Sequence, residues 1–502
     1  MLGKEAYYRI YAKYSERDPF ESIEVPNLSH SYFDLAGDSC LRCHDRLPVQ
    51  TKKRRDWQKL QGGFRLDWQR TGNDSLTLQG DIYGNTYGES FTVASLTYPY
   101  ARDFTHEPTK AGGNILARWK HSFCNSSDMA LQLYYDRTEG GEVSAKEFRD
   151  TFDLDFQYRF DLDKRQEVMV GLGYRYTRDN TEGSFTYSLD PDSRDDQLFS
   201  AFVQDEIDIM PDRLRLTLGS RFEHNDYSGF EIQPNARLLW KPHALHALWA
   251  AVSRSVRTPS RGEHNTQLNG LVIPPGISPK PTPLPVLVTI FGDKDFESEE
   301  LIAYEIGYRT QIQDQLLIDV TAFYNDYDNL FVSTLSNPLL DVSVLTPHLI
   351  LPAYALNDLE AESYGVELAL DWRLRPWWRL QATYSFLKIH TRFVGSGEGI
   401  SLVGDTSGRD PQNQASLRSS LDLPFNLEFD SWIRYVDSLP ILHVNSYITL
   451  DARLGWKPTR NLELCLVGQN LVENKHLEFT PELSTIPTEV PRSVYGKVTW
   501  LF

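Results

Sequence analysis

The segment Cys40-Leu41-Arg42-Cys43-His44 has the C-x-x-C-H spacing by which c-type haem is covalently attached to proteins. Together with His30, the same thiols and imidazole form a set of ligand types found in structural zinc sites. A haem site needs a packed pocket and usually a distal ligand, and the four methionines of the chain lie outside this segment. We therefore favour a local disulfide between Cys40 and Cys43, or two free loop thiols, over a haem or metal site.

No other constellation predicts chemistry. Cys465 alternates onto a polar strand face, Cys124 lies in a predicted turn, and neither a Ser/His/Asp order nor a G-x-S-x-G elbow is present. Carboxylates of residues 190–196 could bind calcium, but a solvated loop explains them better. Aromatic residues of 95–104 could stack on an aromatic ligand or pack within the protein. We predict that the chain is not an enzyme, and we assign it no catalytic, metal, cofactor-binding or ligand-binding residues.

Composition excludes further classes of protein. The 502 residues carry a net charge of −18, which argues against binding to nucleic acid. Four cysteines, of which two are close together, are too few for a disulfide framework. No stretch approaches the roughly eighteen consecutive apolar residues of a transmembrane helix, and residues 1–18 lack the apolar core of a signal peptide.

Long stretches of the chain alternate apolar and polar residues, a pattern typical of β-strands. Residues 213–223 place apolar side chains on one face, namely Leu214, Leu216, Leu218 and Phe222. The other face carries polar and charged side chains, namely Arg213, Arg215, Thr217, Arg221 and Glu223. Residues 64–69, 75–83, 364–372 and 462–469 repeat the pattern. The arginines of the polar face could attract an anionic chelate, but balancing neighbouring carboxylates is the commoner role.

The length of the strands and the spacing of the connections favour a membrane barrel. The strands run to about nine to fifteen residues, and strands of roughly ten tilted residues span a hydrocarbon layer when the sheet closes on itself. Short turns are predicted near 70–74, 124–128, 161–166, 210–213 and 373–377. Long irregular segments are predicted near 15–55, 84–110, 139–147, 181–195, 258–298, 331–354, 391–409, 438–444 and 474–489. This alternation predicts an all-β, antiparallel barrel of about twenty strands, with short periplasmic turns and long extracellular loops.

The segment 258–298 is predicted to be a loop because it contains closely spaced prolines, which cannot donate the hydrogen bonds of a strand ladder. They are Pro274, Pro275, Pro279, Pro281, Pro283 and Pro285. No interior linker suggests a second domain, so we treat residues 1–502 as one barrel domain.

At this point the sequence resembles the TonB-dependent outer-membrane receptors over nearly its whole length. Residues 6–18 and 57–83 look like early barrel strands of that family. Residues 248–263, with Arg257, Thr258, Pro259 and Ser260, are similar to the family's passage from a mid-barrel strand into a long outer loop, and residues 296–330 to the hairpin that follows it. Residues 467–479 and 491–502 look like its closing motifs, and the terminal Phe502 resembles the signal read by the barrel-assembly machinery.

The resemblance implies a 22-stranded barrel with an N-terminal plug that imports scarce nutrients, such as ferric siderophores, using energy from the TonB complex. Here we expect the plug, the signal peptide and the first hairpin to be missing, because strands begin almost at residue 6. Our leading hypothesis is an outer-membrane uptake barrel, which would bind membrane lipid, a metal chelate and, if a plug is supplied, TonB. The alternatives are a plugless, porin-like passive channel and a truncated, non-functional receptor fragment, with a haem-bearing electron carrier as a remote fourth.

Overall fold

The computed structural model describes residues 6–17, 57–124, 126–141, 145–277, 281–395, 408–479 and 489–501. The strands in chain order are β1 (Ala6–Arg17), β2 (Trp57–Gln69), β3 (Asp74–Tyr87), β4 (Glu89–Ala94), β5 (Ala101–His106), β6 (Thr109–Cys124), β7 (Ser127–Gly141), β8 (Ala145–Asp161), β9 (Gln166–Gly183), β10 (Tyr187–Leu189), β11 (Ser193–Met210), β12 (Leu214–Asn225), β13 (Gly229–His243), β14 (His246–Arg257), β15 (Thr266–Ile273), β16 (Val286–Phe291), β17 (Glu299–Ile312), β18 (Leu316–Leu335), β19 (Leu339–Asp341), β20 (His348–Arg375), β21 (Trp378–Phe393), β22 (Asn413–Leu423), β23 (Leu427–Val436), β24 (Tyr447–Thr459), β25 (Leu462–Gln469), β26 (Lys475–His476), β27 (Val490–Pro491) and β28 (Ser493–Trp500). Helix α1 spans Arg261–Asn265, and a 3-10 turn spans Pro424–Asn426. No helix of the described residues is long and apolar enough to cross a membrane.

Within the described residues, twenty of these strands form one continuous antiparallel wall, as the sequence predicts. Each wall strand pairs with the next along the chain, and the strands outside this succession are β4, β5, β10, β15, β16, β19, β26 and β27. Among the described residues, no pairing joins β28 back to β1.

The two faces of the wall differ as the alternation predicts. One row of paired residues crosses four strands on the outer face: Leu218 pairs with Ala236, Ala236 with Val252, and Val252 with Tyr304. The large apolar side chains of this row are exposed. The opposite, inner face carries the charged residues, for example Arg215 beside Asp208. A sheet that is apolar outside and charged inside suits lipid on one side and water on the other.

The predicted difference between the two ends of the wall is largely confirmed. The turn end has tight connections at 70–73, 162–165, 211–213 and 376–377, where the sequence places turns. The prediction of a long segment at 139–147 is wrong, because β7 continues to residue 141 and β8 begins at residue 145. The connection 226–228 at the loop end is also short, because Asn225 accepts from the backbone of Tyr227 and Ser228 and forms a tight turn.

The prediction that 258–298 is a loop is wrong for residues 261–273 and 286–291, which form regular secondary structure. The segment contains α1 and the hairpin β15–β16, and the prolines occupy only the connection between those two strands. The segment 331–354 is likewise not irregular, because β18 continues to residue 335, β20 begins at 348, and β19 pairs with β20. Period-two patterning identifies strands with one wet face, whereas β16 and the outer ends of β18 and β20 are largely buried and lack that pattern.

We call the hairpin β15–β16 the outer bridge, because it connects distant parts of the wall at the loop end. On one side β15 pairs with β10, which follows β9, and on the other side β16 pairs in parallel with β20. Six wall strands separate β9 from β20, so the bridge spans that sector directly. Strand β16 and the adjoining outer ends of β18 and β20 contain the most deeply buried residues that the structure describes, because Thr289, Val332 and Ala353 are each 0% exposed. We call the outer bridge, helix α1, the hairpin β4–β5 and the outer ends of β18 and β20 together the outer assembly. The main apolar core of the described residues lies there rather than inside the wall.

Candidate functional site

The inner face of the wall is organised by arginines that neutralise carboxylates on adjacent strands. Arg215 on β12 contacts Glu206 and Asp208 on β11, both at 2.9 Å. Arg453 on β24 contacts Glu428 at 3.0 Å and Asp430 at 3.1 Å on β23, and Glu463 at 2.7 Å on β25. Such charge-assisted hydrogen bonds connect strands across a wet surface.

The two inner-face arginines Arg215 and Arg221 therefore have the charge-balancing role that the sequence favoured. Arg221 pairs with Glu223 at 3.1 Å on its own strand. Arg213 lies in the turn between β11 and β12, where its backbone amide donates to the carbonyl of Met210.

A groove of about 530 Å³ lies along the inner face between β18 and β23. Polar side chains line much of it, including Thr321, Glu367, Ser385, Gln414 and Arg434. Arg434 stacks over the ring of Trp432 at 4.3 Å and also pairs with Asp451 at 2.6 Å. The groove thus offers hydrogen-bond donors, acceptors and an aromatic face to a polar solute.

At the loop end, helix α1 is fixed by a buried ion pair. Arg261 contacts Asp179 at the end of β9, and the two side chains are 6% and 3% exposed. Arg261 also donates to the carbonyl of Pro191, and Asn265 donates to the carbonyl of Asp190 at 2.6 Å. A buried ion pair with further hydrogen bonds resists separation, because removing one partner leaves an uncompensated charge. These contacts attach helix α1, which precedes the outer bridge, to the end of β9 and to the 184–192 connection.

The start of α1 is a capping box. The Ser260 side chain accepts from the backbone of Gly262, and the Glu263 carboxylate accepts from the backbone of Ser260 at 2.8 Å. Burial acts to raise the pKa of Glu263, but the bonds from Ser260 and Arg257 outweigh it and hold that pKa below its usual value. The carboxylate is therefore ionised when the cap forms.

An aromatic and charged cluster packs beneath α1. Tyr227 meets His264 edge to face at 5.0 Å, and the guanidinium of Arg194 lies 4.1 Å from the centre of the Tyr227 ring. Tyr227 donates to Asp196 at 2.6 Å, and burial together with this bond raises the pKa of the phenol. His264 is buried and contacts the carbonyl of Phe296 at 2.9 Å. The cluster thus joins α1 to the 226–228 turn and to β11.

The hairpin β4–β5 forms a cap on the outer bridge. Ala94, Leu96 and Tyr100 of this cap pack on Val272 and Leu287 of the bridge. The tip residue Tyr98 is 81% exposed and meets Tyr100 edge to face at 6.4 Å. Residues 95–104 thus include one ring used in packing and one ring open to solvent.

The other candidate residues suggested by the sequence have mixed outcomes. Cys40, Cys43, His44, His30 and Phe502 lie outside the described residues, so the haem, metal and disulfide hypotheses stay predictions. In residues 190–196, Asp190, Asp192 and Asp195 are exposed while Asp196 bonds Tyr227, in agreement with a solvated loop. Among the described residues, no group of three or more His, Cys, Asp or Glu side chains could hold a metal ion. Cys465 lies on the inner face opposite Gly455, as predicted.

Sequence reasoning missed helix α1 and its contacts. The local signal was present, because Ser260 followed by Glu263 is the spacing of a capping box. The partner of Arg261 could not be found in this way, since Asp179 lies far away in the chain and is brought near by the wall.

The wall defines the class of protein: an outer-membrane β-barrel with an elaborate outer assembly. The chain belongs to the TonB dependent receptor-like beta-barrel family, whose model matches residues 29–471. Its location is therefore the outer membrane, and its fold is that of receptors and transporters.

Several known proteins are similar to the chain. The "Iron-regulated outer membrane virulence protein" of Vibrio cholerae is 24% identical over 188 residues, which cover 38% of this chain and only 27% of the relative's length. The crystal structure of a mutant of the ferric enterobactin receptor of Pseudomonas aeruginosa has a TM-score of 0.76 at 16% identity, over 100% of this chain and 76% of that one. The siderophore receptor PirA of Acinetobacter baumannii gives 0.73 at 15% identity, over 100% and 76%. At these identities the structural likeness shows the fold.

Proposed function

We propose that this chain forms the barrel of a TonB-dependent receptor that imports a scarce nutrient, most favourably a ferric siderophore or a similar metal chelate. The observation that carries the proposal is the twenty-strand wall with its charged inner face, which matches the ferric enterobactin receptor along the whole chain. The name of the Vibrio relative refers to iron regulation, which supports an iron-containing nutrient as the cargo. We propose transport without a catalytic step.

The proposal includes the partners of such a receptor. Lipid surrounds the apolar outer face, the TonB complex supplies energy where a plug is present, and the barrel-assembly machinery recognises the C-terminal strand with Phe502. The outer assembly supports selective rather than free passage, because the cap and the outer bridge meet at the loop end.

Uptake of radioactive iron tests this function. A strain without the gene is complemented with the natural gene and supplied with a panel of iron-loaded siderophores under iron limitation. Restored uptake of one chelate, abolished when the TonB complex is inactivated, is the expected result. A barrel that conducts small ions freely in planar bilayers and restores no chelate uptake supports the passive channel instead.

A further inference from the structure

A carboxylate lies on the lipid-facing side of the wall, among apolar side chains. Asp205 on β11 pairs with Leu218 on β12 and with Val168 on β9, so it belongs to the outward-facing row of paired residues that contains Leu218. Along its own strand, the neighbouring outward-facing positions are Val203 and Ile207. The four nearest positions around this carboxylate on the outer face are therefore all aliphatic.

Neither Asp205 nor the nearby Ser220 is fully satisfied within the part of the chain that the structure describes. The Oδ1 atom of Asp205 and the Oγ atom of Ser220 are covered by neighbouring side chains, and each lacks a hydrogen-bond partner. Ser220 is two residues beyond Leu218 on β12, so it faces outward as well, and it pairs with Val203. An unsatisfied acceptor and an unsatisfied donor thus occupy diagonally adjacent positions on the lipid-facing side.

Both side chains lie deep in the apolar band and at nearly the same depth. Asp205 is five positions from Met210 at the turn end of β11, and Ser220 is six positions from Leu214 at the turn end of β12. With a rise of about 3.3 Å per residue and a tilt of about 40°, Asp205 stands about 13 Å above the turn end, roughly midway in a band about 25 Å tall. Hydrocarbon at that depth offers no water to complete the hydrogen bonds.

The adjoining surface on β13 carries compact side chains. Ser220 pairs with Pro234, and Leu218 pairs with Ala236. We call Asp205, Ser220, Pro234 and Ala236 together the polar patch. Compact side chains at an interface within a membrane let two backbones approach closely, and polar side chains there form hydrogen bonds between chains. The polar patch has both features.

The polar patch is complementary to itself. Two copies related by a two-fold axis along the membrane normal bring residues of equal depth together. Such an axis between Asp205 and Ser220 places the donor of each copy opposite the acceptor of the other. A cationic group of a lipid or of another protein satisfies only the acceptor, whereas a second copy satisfies both.

We propose that two copies of this chain associate in the membrane through the polar patch, with each Ser220 hydroxyl donating to the Asp205 carboxyl group of the other copy. An ionisable side chain on a membrane-embedded surface is costly unless a partner covers it, and this association supplies that partner. The association is independent of the proposed import function.

Photo-crosslinking in outer membranes isolated from cells that express the natural gene tests this proposal. A p-benzoylphenylalanine replaces Phe222, which lies two residues beyond Ser220 on the same face. The matched control replaces Phe386, which pairs with the exposed Val366 on the outer face. Phe222 and Phe386 are each eight positions from the turn end of their strands. We expect a product of two chains from position 222 and none from position 386, with the partner identified by mass spectrometry.

Four variants of the chain crosslinked from position 222 test the two hydrogen bonds. Ser220→Ala removes the donor, Ser220→Thr keeps it, and Asp205→Val removes the acceptor. Ser431→Ala makes the first change on the outward-facing side of β23 as a control. We expect Ser220→Ala and Asp205→Val each to raise about tenfold the expression level at which half of the chains crosslink, because either change removes both bonds. Ser220→Thr and Ser431→Ala leave that level unchanged. Heat-modifiable migration in gels verifies that every variant is folded.

Coexpression of differently tagged Ser220→Ala and Asp205→Val chains separates bonds between copies from a bond within one chain. A mixed pair retains one of the two bonds, because one copy still has the carboxyl group and the other still has the hydroxyl. A pair of identical variants retains neither bond. We expect the mixed product to form at a lower expression level than either uniform product.

Four results overturn the proposal. They are a wild-type chain that gives no two-chain product, a product that contains only lipid or another protein, equal yields from positions 222 and 386, and a mixed pair that crosslinks no better than the uniform pairs.

Discussion

Replacing Leu287 with alanine should release the outer bridge without disturbing the wall. Leu287 is 3% exposed and joins Val272 of the bridge to Ala94 of the cap. The wall is held by its own continuous ladder of strand pairs, none of which involves this side chain. The substitution therefore separates the stability of the outer assembly from that of the barrel.

The size of the effect follows from the burial of the side chain. Leucine to alanine changes at well-packed sites cost about 2–5 kcal/mol, because contacts are lost and a cavity remains. We expect about 3 kcal/mol for opening of the bridge, since the cluster is small and can partly collapse. Each 1.4 kcal/mol changes an equilibrium about tenfold, so the open state becomes roughly a hundred times more populated.

Hydrogen exchange measured by mass spectrometry on the detergent-solubilised protein reports this change. Amides of residues 286–291 should exchange roughly a hundredfold faster, while those of residues 214–225 in the wall keep their rates. The control is Leu340→Ala in β19, where the side chain is 62% exposed and its loss should have little effect. Equal acceleration in bridge and wall would refute the view that the bridge opens as a separate unit. Unchanged exchange in residues 286–291 would show that the apolar contact does not hold it.

Three other outcomes follow from the described contacts. Arg453→Met should lower the free energy of unfolding by about 2 kcal/mol in denaturant titrations, because three carboxylates lose their shared partner. The pKa of Glu263 in the folded protein lies below its usual value, so its stabilisation of α1 is complete above the pKa of the unfolded chain and is lost as pH falls below about 4. Hydrogen exchange of residues 261–265 should therefore accelerate below that pH. The variant Glu263→Gln should remove this pH dependence. Cys465 should react with a charged, water-soluble maleimide, because it lies on the inner face, and labelling only by lipid-soluble reagents would contradict that orientation.

The wall could be predicted from the sequence because its cause is local. Residues such as Leu214, Leu216 and Leu218 alternate with polar side chains along one strand, and this period of two fixes which face meets lipid. The number of strands and most tight turns follow from the same pattern, with an error where the strands around 139–147 extend further than their alternation.

The outer assembly could not be predicted because its contacts join segments that are distant in the chain. Thr289 bonds Asn269, which in turn bonds the carbonyl of Phe185, and no short window contains these partners.

The sequence by itself thus determined a two-faced antiparallel wall, because the alternation of side chains is a property of each strand alone. The tertiary structure decided which charges meet on the inner face and how the loop end is covered. The parallel pairing of β16 with β20 and the buried contact of Arg261 with Asp179 exist only once the wall has placed those segments side by side. Burial and charge compensation are properties of such neighbours in space, and neighbours in space are what a linear pattern does not contain.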